Sequence, residues 1–174
     1  MCPRVVALTG TPGTGKSTLA KALQQHGMKI FSLEEIANEV NALSIESDVN
    51  VIETSKLSEW VWSGDEPCVI DGHLSHYCTI DAVIVLRCAP DALRQRLKQR
   101  NGYGHDKIES NVEWELIAGI WSDLINLYPY TSVLELDTTN QSIDLERVLQ
   151  FISNGDGDGF VRDAIHYAQD WMNA

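Results

Sequence analysis

The chain has 174 residues, 44% of them apolar, enough for one domain with a full core and too few for two independent ones. A formal charge of −12 excludes a surface that grips nucleic acid broadly, because phosphate backbones are held by lysine and arginine. The longest apolar stretches, such as AVIVL at 82–86, fall far short of the roughly 20 residues of a bilayer-crossing helix, and no charged-then-apolar leader opens the chain, so a soluble, cytoplasmic protein is expected.

In chain order, RVVALTG at 4–10 is a short β-branched run ending in glycine. GKSTLAKALQQHG at 15–27 follows, with leucines at 19 and 23 before a terminating glycine, and the pair predicts strand, loop and helix. The intervening GTPGTGKST matches G-x-x-x-x-G-K-[ST] in full, in the context that phosphate binding requires. Its glycines let backbone amides turn inward around a β-phosphate, and the helix N-terminus adds its positive dipole end. Lys16 is placed to bridge the β- and γ-phosphates, and Ser17 to ligate Mg²⁺.

MKIFS at 28–32, CVIDG at 68–72, AVIVLRC at 82–88 and SVLEL at 132–136 read as further strands, nearly continuous in apolar residues as expected where both faces are covered. Asp71 ends the run CVI and so emerges at a carboxyl edge, where a carboxylate can hold magnesium through a water; a helix or turn cap is the alternative. His73, two residues on, is within reach of the γ-phosphate region unless it is a surface or structural histidine, and His76 is given no role. The cysteines Cys2, Cys68, Cys78 and Cys88 lack the close pairs of a zinc or redox site and are read as reduced thiols.

Of the thirteen basic residues, six fall between Arg87 and Lys107. In DALRQRLKQR at 91–100, Leu93 and Leu97 form a buried stripe flanked by Arg96 and Arg100 on one side. Phosphoryl transfer spreads negative charge over equatorial oxygens, so these two arginines are candidate phosphate ligands, with Arg87 a weaker one of the same kind. A solvated helix face is the alternative. Arg100 precedes NGYGHDK, a polar loop that could close over a nucleotide.

From Asp106 to Tyr128, Val112, Leu116, Ile117, Ile120, Trp121, Leu124 and Ile125 keep the 3.6-residue period, predicting one helix of about five turns stopped by Pro129. NGDGDGF at 154–160 starts like a calcium loop, but Ile165 stands where the closing glutamate should be, so a turn is expected before a last amphipathic helix bearing Phe160, Val161, Ile165, Ala168, Trp171 and Met172. Strands alternating with helices give one α/β domain with a five-stranded, mostly parallel sheet, helices on both faces and a ligand crevice at the carboxyl ends of the strands.

Together, GTPGTGKST, VIDGH, VIVLR and RLKQRNGYGHDKIESNVEWE resemble the adenylate kinase isoenzyme 6 family, archaeal members included, over residues 4–125. The resemblance implies a P-loop, nucleoside monophosphate kinase-like fold with a short lid. It implies an ATP site at Gly13, Thr14, Gly15, Lys16, Ser17 and Thr18 with a lid arginine at Arg100, and a D-x-H pair, Asp71 and His73, supporting phosphoryl transfer or ATP hydrolysis. It further implies weak, broad-specificity nucleotide kinase and ATPase activity in late small ribosomal subunit maturation, through a small-subunit ribosomal protein and the pre-ribosomal particle.

On this reading residues 31–62 are the acceptor-nucleotide flap, 99–109 the lid and 154–174 a tail. Gly72 replaces the family's usual aromatic residue, which predicts looser packing beside the phosphates, and the lid carries one extra residue before Tyr103. Lys56 is the only cation between Lys29 and Arg87, few for a flap that must hold a dianion. Two functions from different classes therefore stand: transfer of the ATP γ-phosphate to AMP or another monophosphate, and ATP-gated binding of a ribosomal protein with little kinase activity. A small-metabolite kinase on the same fold is a third.

Overall fold

The computed structural model describes residues 3–46, 49–140 and 142–173. Five parallel strands form the sheet in the order β2 (Lys29–Ser32), β5 (Cys68–Asp71), β1 (Val5–Gly10), β6 (Ala82–Arg87) and β7 (Ser132–Asp137). All six residues of β1 and of β6 are buried, as their unbroken apolar runs require of strands covered on both faces. β1 has β5 on one side and β6 on the other, so the direction of winding reverses at β1 and a crevice opens outside its carboxyl end.

Helices α1 (Lys16–Gln25) and α7 (Leu145–Asn154) cover one face, burying Leu19, Leu23, Phe151 and Ile152 against Leu8 and Ile84. The other face receives α2 (Leu33–Glu39) with Ile36, α3 (Thr54–Leu57) with Leu57, and α6 (Gly119–Leu127) with Trp121 and Leu124. A satellite core of Leu93, Leu97, Ile108 and Val112 joins α4 (Pro90–Lys98) to α5 (His105–Leu116). Ser32 and Glu35 form a capping box at the start of α2, fixing where the flap leaves β2. Inside the flap lies an antiparallel hairpin of β3 (Leu43–Glu46) and β4 (Val49–Ile52), which the sequence reading missed.

Three expectations are corrected. The long helix over 106–128 is two helices, α5 and α6, broken at Ala118, whose φ of 51° and ψ of 42° are left-handed. The stripe of α5 (Ile108, Val112) faces α4, whereas that of α6 (Ile120, Trp121, Leu124) faces the sheet, and one straight helix cannot serve both. Trp114 closes the break by lying where a Cβ on Gly119 would stand, and Ile117, read as part of the stripe, is 59% exposed.

The final helix is also shorter than expected: α8 (Val161–Ala164) gives way to one 3₁₀ turn and then irregular chain. The preceding acidic loop covers the free edge of β7. Val133 donates its N–H to Gly159 O, Asp158 donates its own to Val133 O, and Asp158 Oδ2 accepts from Glu135 N at 2.7 Å. Its other oxygen accepts from Arg147 at 2.6 Å, so Asp158 guards an edge and binds a guanidinium.

Thirdly, packing at Gly72 is tight: a Cβ there would run into Leu33 at the head of α2. Cys68, Cys78 and Cys88 are free and buried; Cys2 lies outside the described residues. No helix among the described residues is long and apolar enough to cross a membrane.

An alanine held in the left-handed region costs about 1 kcal/mol that glycine does not. Ala118→Gly is therefore expected to raise the thermal midpoint, by the equivalent of about 0.5 kcal/mol. Gly119→Ala, which must displace Trp114, is expected to lower it by more than about 1 kcal/mol. Paired thermal melts check both signs.

Candidate active site

β1 ends in Gly10 (φ 138°), and the chain wraps from there to Gly15 (φ 101°), the cap of α1. A Cβ on Gly13 (φ 97°) would stand 2.9 Å from Leu93 and 3.0 Å from Leu97, so glycine lets the loop seat directly on α4. Inside the loop Thr14 Oγ1 donates to Thr11 O at 2.9 Å, and Lys16 Nζ donates to Gly10 O at 2.7 Å and Thr11 O at 3.0 Å. The ammonium is thus stored against the loop's own carbonyls.

Burial lowers the Lys16 pKa to about 8, and Arg100 adds to the fall, while Asp71 and Glu115 oppose it. Asp71 moves the other way: burial raises it, opposed by Lys16 and by a hydrogen bond with Ser17. Desolvation and the nearby Lys16 and Lys107 push His73, though the residue is exposed, below its ordinary value and so toward the neutral form.

Two cavities meet at this loop. One, of about 520 Å³, brings Lys16, Ser17, Asp71, His73 and Arg100 together with Tyr103, Lys107 and Asn111 of the lid region. Tyr103 gathers the lid cations, with Lys107 Nζ 4.5 Å and Arg100 Cζ 5.9 Å from its ring centre. The lid loop is shorter than its sequence suggests, since the chain is already helical from His105.

The other cavity, of about 560 Å³, is lined by Gly13, Thr18, Arg96, Arg100, Thr138 and Ile143 among others. Gly15 and Thr14 border it as well. Arg96 lines only this second cavity, with Nη2 donating to Thr138 O at 2.6 Å and Thr139 O at 3.1 Å, which fixes the wall formed by the loop after β7. Arg100 alone of the candidate arginines borders both.

Arg87 does not reach either cavity. It is fully buried, with Nε on Glu115 Oε1 at 2.7 Å, Nη1 on Glu135 Oε1 at 3.0 Å and Nη2 on Glu115 O at 3.0 Å. The reading of Arg87 as a phosphate ligand is corrected to a structural one, because its donors are committed to two buried carboxylates. Glu115, which the sequence reading passed over, accepts from Thr11 Oγ1 at 2.5 Å and from Cys88 N at 3.0 Å, tying the loop and the end of β6 to α5. Asn111, Tyr103 and Lys107 were legible only as members of the lid pattern.

Magnesium is tested by its donor set. Ser17 and Asp71 offer hard oxygens beside one another in the phosphate cavity, the partial set that Mg²⁺ takes when phosphates and waters complete it. No cluster of three or more His, Cys, Asp or Glu side chains fit to hold a metal occurs among the described residues, and such a magnesium site needs none.

Residues 6–118 match the family model described as "AAA domain". A protein of Pyrococcus furiosus named "Putative adenylate kinase" is 37% identical over 157 residues, covering 87% of this chain and 85% of its own. A protein of the same name from Archaeoglobus fulgidus is 39% identical over 150 residues, covering 85% and 79%. Among solved structures, shikimate kinase from Bacteroides thetaiotaomicron superposes with a TM-score of 0.50 at 14% identity, covering 86% of this chain and 98% of that one, a likeness of fold.

With a Lys16 pKa near 8, phosphate binding must raise it, since the ammonium gains anionic neighbours. Above pH 8 association is therefore expected to take up close to one proton and to weaken by up to about tenfold per pH unit. At pH 6.5, where the lysine is already charged, uptake from this group vanishes. Calorimetry of Mg-ATP binding in buffers of differing ionisation enthalpy measures both limits.

Proposed function

The chain belongs to the family of those two archaeal relatives and is a P-loop kinase, and from that premise we propose that it transfers the ATP γ-phosphoryl group to AMP or another nucleoside monophosphate. The observation that carries this reading is the meeting of Lys16, Ser17, Asp71, His73 and Arg100 in one cavity on the carboxyl edge of the sheet. The adjoining cavity, bordered by Arg96, Thr138 and Ile143, takes the donor nucleoside.

In the proposed reaction an acceptor phosphate oxygen attacks the γ-phosphorus and the bond to the β,γ-bridging oxygen breaks, leaving ADP and the acceptor's diphosphate, a second ADP when the acceptor is AMP. The transition state is loose, so fixed charge and alignment do most of the work. Backbone amides of the loop hold the β-phosphate, and Lys16 leaves its carbonyls to span the β- and γ-oxygens. Arg100, carried by the lid, meets the charge on the equatorial oxygens. Ser17 and Asp71 would hold Mg²⁺, which would supply positive charge against the phosphates. Neutral His73 orients the attacking oxygen or a water through a hydrogen bond. In this assignment residues 31–62 receive the acceptor, 99–109 form the lid, and the loop at 158–160 within the tail covers the β7 edge.

ATP hydrolysis coupled to small ribosomal subunit maturation is the second reading, favoured by two observations. The flap has no arginine to hold a dianion, and its one cation, Lys56, is paired with Glu53 at 2.7 Å. The charge of −12 also suits an acidic cover for a basic ribosomal protein. Water then takes the place of the acceptor at the same phosphorus.

Pure protein with ATP and AMP is expected to yield two ADP per AMP consumed, and little ADP without AMP. Equal ADP in both assays would remove the kinase and leave an ATPase. Asp71→Asn is expected to cut Mg²⁺-dependent turnover far more than nucleotide binding; equal loss of both would make Asp71 structural.

A further inference from the structure

The phosphate cavity is walled by two separate parts of the chain. The loop between β1 and α1 forms one side, and α5 presents Lys107 and Asn111 on the other. Glu115 follows at the same interval of four, so the three residues share one face of the helix. Along that face Lys107 is exposed, Asn111 half-buried and Glu115 buried, at 1% exposure. Glu115 does not line the phosphate cavity, so its influence there must pass through another residue.

That residue is Thr11, because the two oxygens of Glu115 serve different neighbours. Oε1 accepts from Arg87 Nε at 2.7 Å and from Cys88 N at 3.0 Å, which fastens α5 to the end of β6. Oε2 accepts from Thr11 Oγ1 at 2.5 Å. Thr11 is 2% exposed, and its carbonyl accepts from Lys16 Nζ at 3.0 Å and from Thr14 Oγ1 at 2.9 Å. One loop residue is therefore clamped to α5 at its hydroxyl while its carbonyl holds the ammonium that arriving phosphates must draw away. The Glu115 carboxylate also favours the charged form of Lys16 directly.

We propose that Glu115 is a positioning residue for transfer of the γ-phosphoryl group: through the Thr11 hydroxyl it holds the phosphate loop in register with the face of α5 that carries Lys107 and Asn111. With that bond in place, both walls of the cavity keep a fixed separation as charge builds on the transferring group. Without it, loop amides and Lys16 still bind a nucleotide, but the groups on α5 lose their alignment with the reacting phosphorus. A misplacement of about 1 Å can cost about a hundredfold in rate, so the loss falls on the chemical step and not on ground-state affinity. The inference rests on the phosphoryl-transfer reading above and holds whether a monophosphate or water is the acceptor.

Thr11→Val keeps the branched shape of the side chain and every bond of Glu115 Oε1 but removes the donor to Oε2, and Thr11→Ser restores that donor. ADP release is measured for each with AMP and without it, and Mg-ATP affinity by calorimetry. Thr11→Val is expected to lower kcat at least about tenfold while the Kd of Mg-ATP stays within about threefold, and Thr11→Ser to recover most of the lost turnover. Turnover of Thr11→Val within about threefold of the unaltered protein, affinity falling in step with turnover, or no recovery in Thr11→Ser overturns the proposal and leaves Glu115 structural. Thr11→Ala removes the same donor with a smaller side chain, and failure of both variants to fold would likewise make the bond structural. Equal ADP from the unaltered protein with and without AMP would remove the monophosphate acceptor while the Thr11 series still decides this inference on the hydrolysis rate. AMP-dependent ADP formation at an undiminished rate in Thr11→Val would do the reverse.

Discussion

One buried ammonium organises this molecule. Lys16 sits 9% exposed at the foot of α1, and the desolvation it suffers is only partly offset by the carbonyls of Gly10 and Thr11. A charge held in such surroundings gains strongly from any anion that arrives, because the low local dielectric that penalises it alone strengthens its attraction to phosphate. The glycines that bend β1 into α1 serve this arrangement: they turn carbonyls toward the lysine and leave the amides for the ligand.

The loop does not hold that shape unaided. Thr11 is fastened to Glu115 of α5, Glu115 to Arg87 at the end of β6, and Arg87 to Glu135 of β7. Glu135 reaches further, accepting from Trp121 Nε1 at 2.8 Å and from Gln169 N at 3.0 Å. A continuous polar chain therefore runs from phosphate loop to tail through an apolar core. Breaking such a pair by removing one partner strands a buried charge, typically at a cost of about 3–5 kcal/mol. Thr138 adds a second tie, its hydroxyl donating to Thr14 O at 2.8 Å and its backbone N–H to Arg87 O at 2.8 Å.

The phosphate loop was legible in the sequence because its chemistry needs neighbours in the chain: glycines, lysine and hydroxyl at set intervals. Asp71 was legible because an acidic residue ending an apolar strand must surface at the sheet edge, and β5 places it opposite Leu8 and Ser32. The role of Arg87 was not, since its partners lie 28 and 48 residues away and a basic residue after a strand looks the same whether buried or free. Periodicity likewise continued smoothly through Ala118, because it records which positions are apolar and not which neighbour they face.

In the proposed function one cup of main-chain amides, completed by Lys16, receives a nucleotide's phosphates on the carboxyl edge of the sheet. A crystal structure with Mg²⁺ and a non-hydrolysable ATP analogue tests it most directly. The triphosphate is expected in the 520 Å³ cavity, its γ-phosphate between Lys16 and Arg100, and the base in the 560 Å³ cavity beside Arg96. A nucleotide bound elsewhere, with Lys16 still on the carbonyls of Gly10 and Thr11, would contradict it.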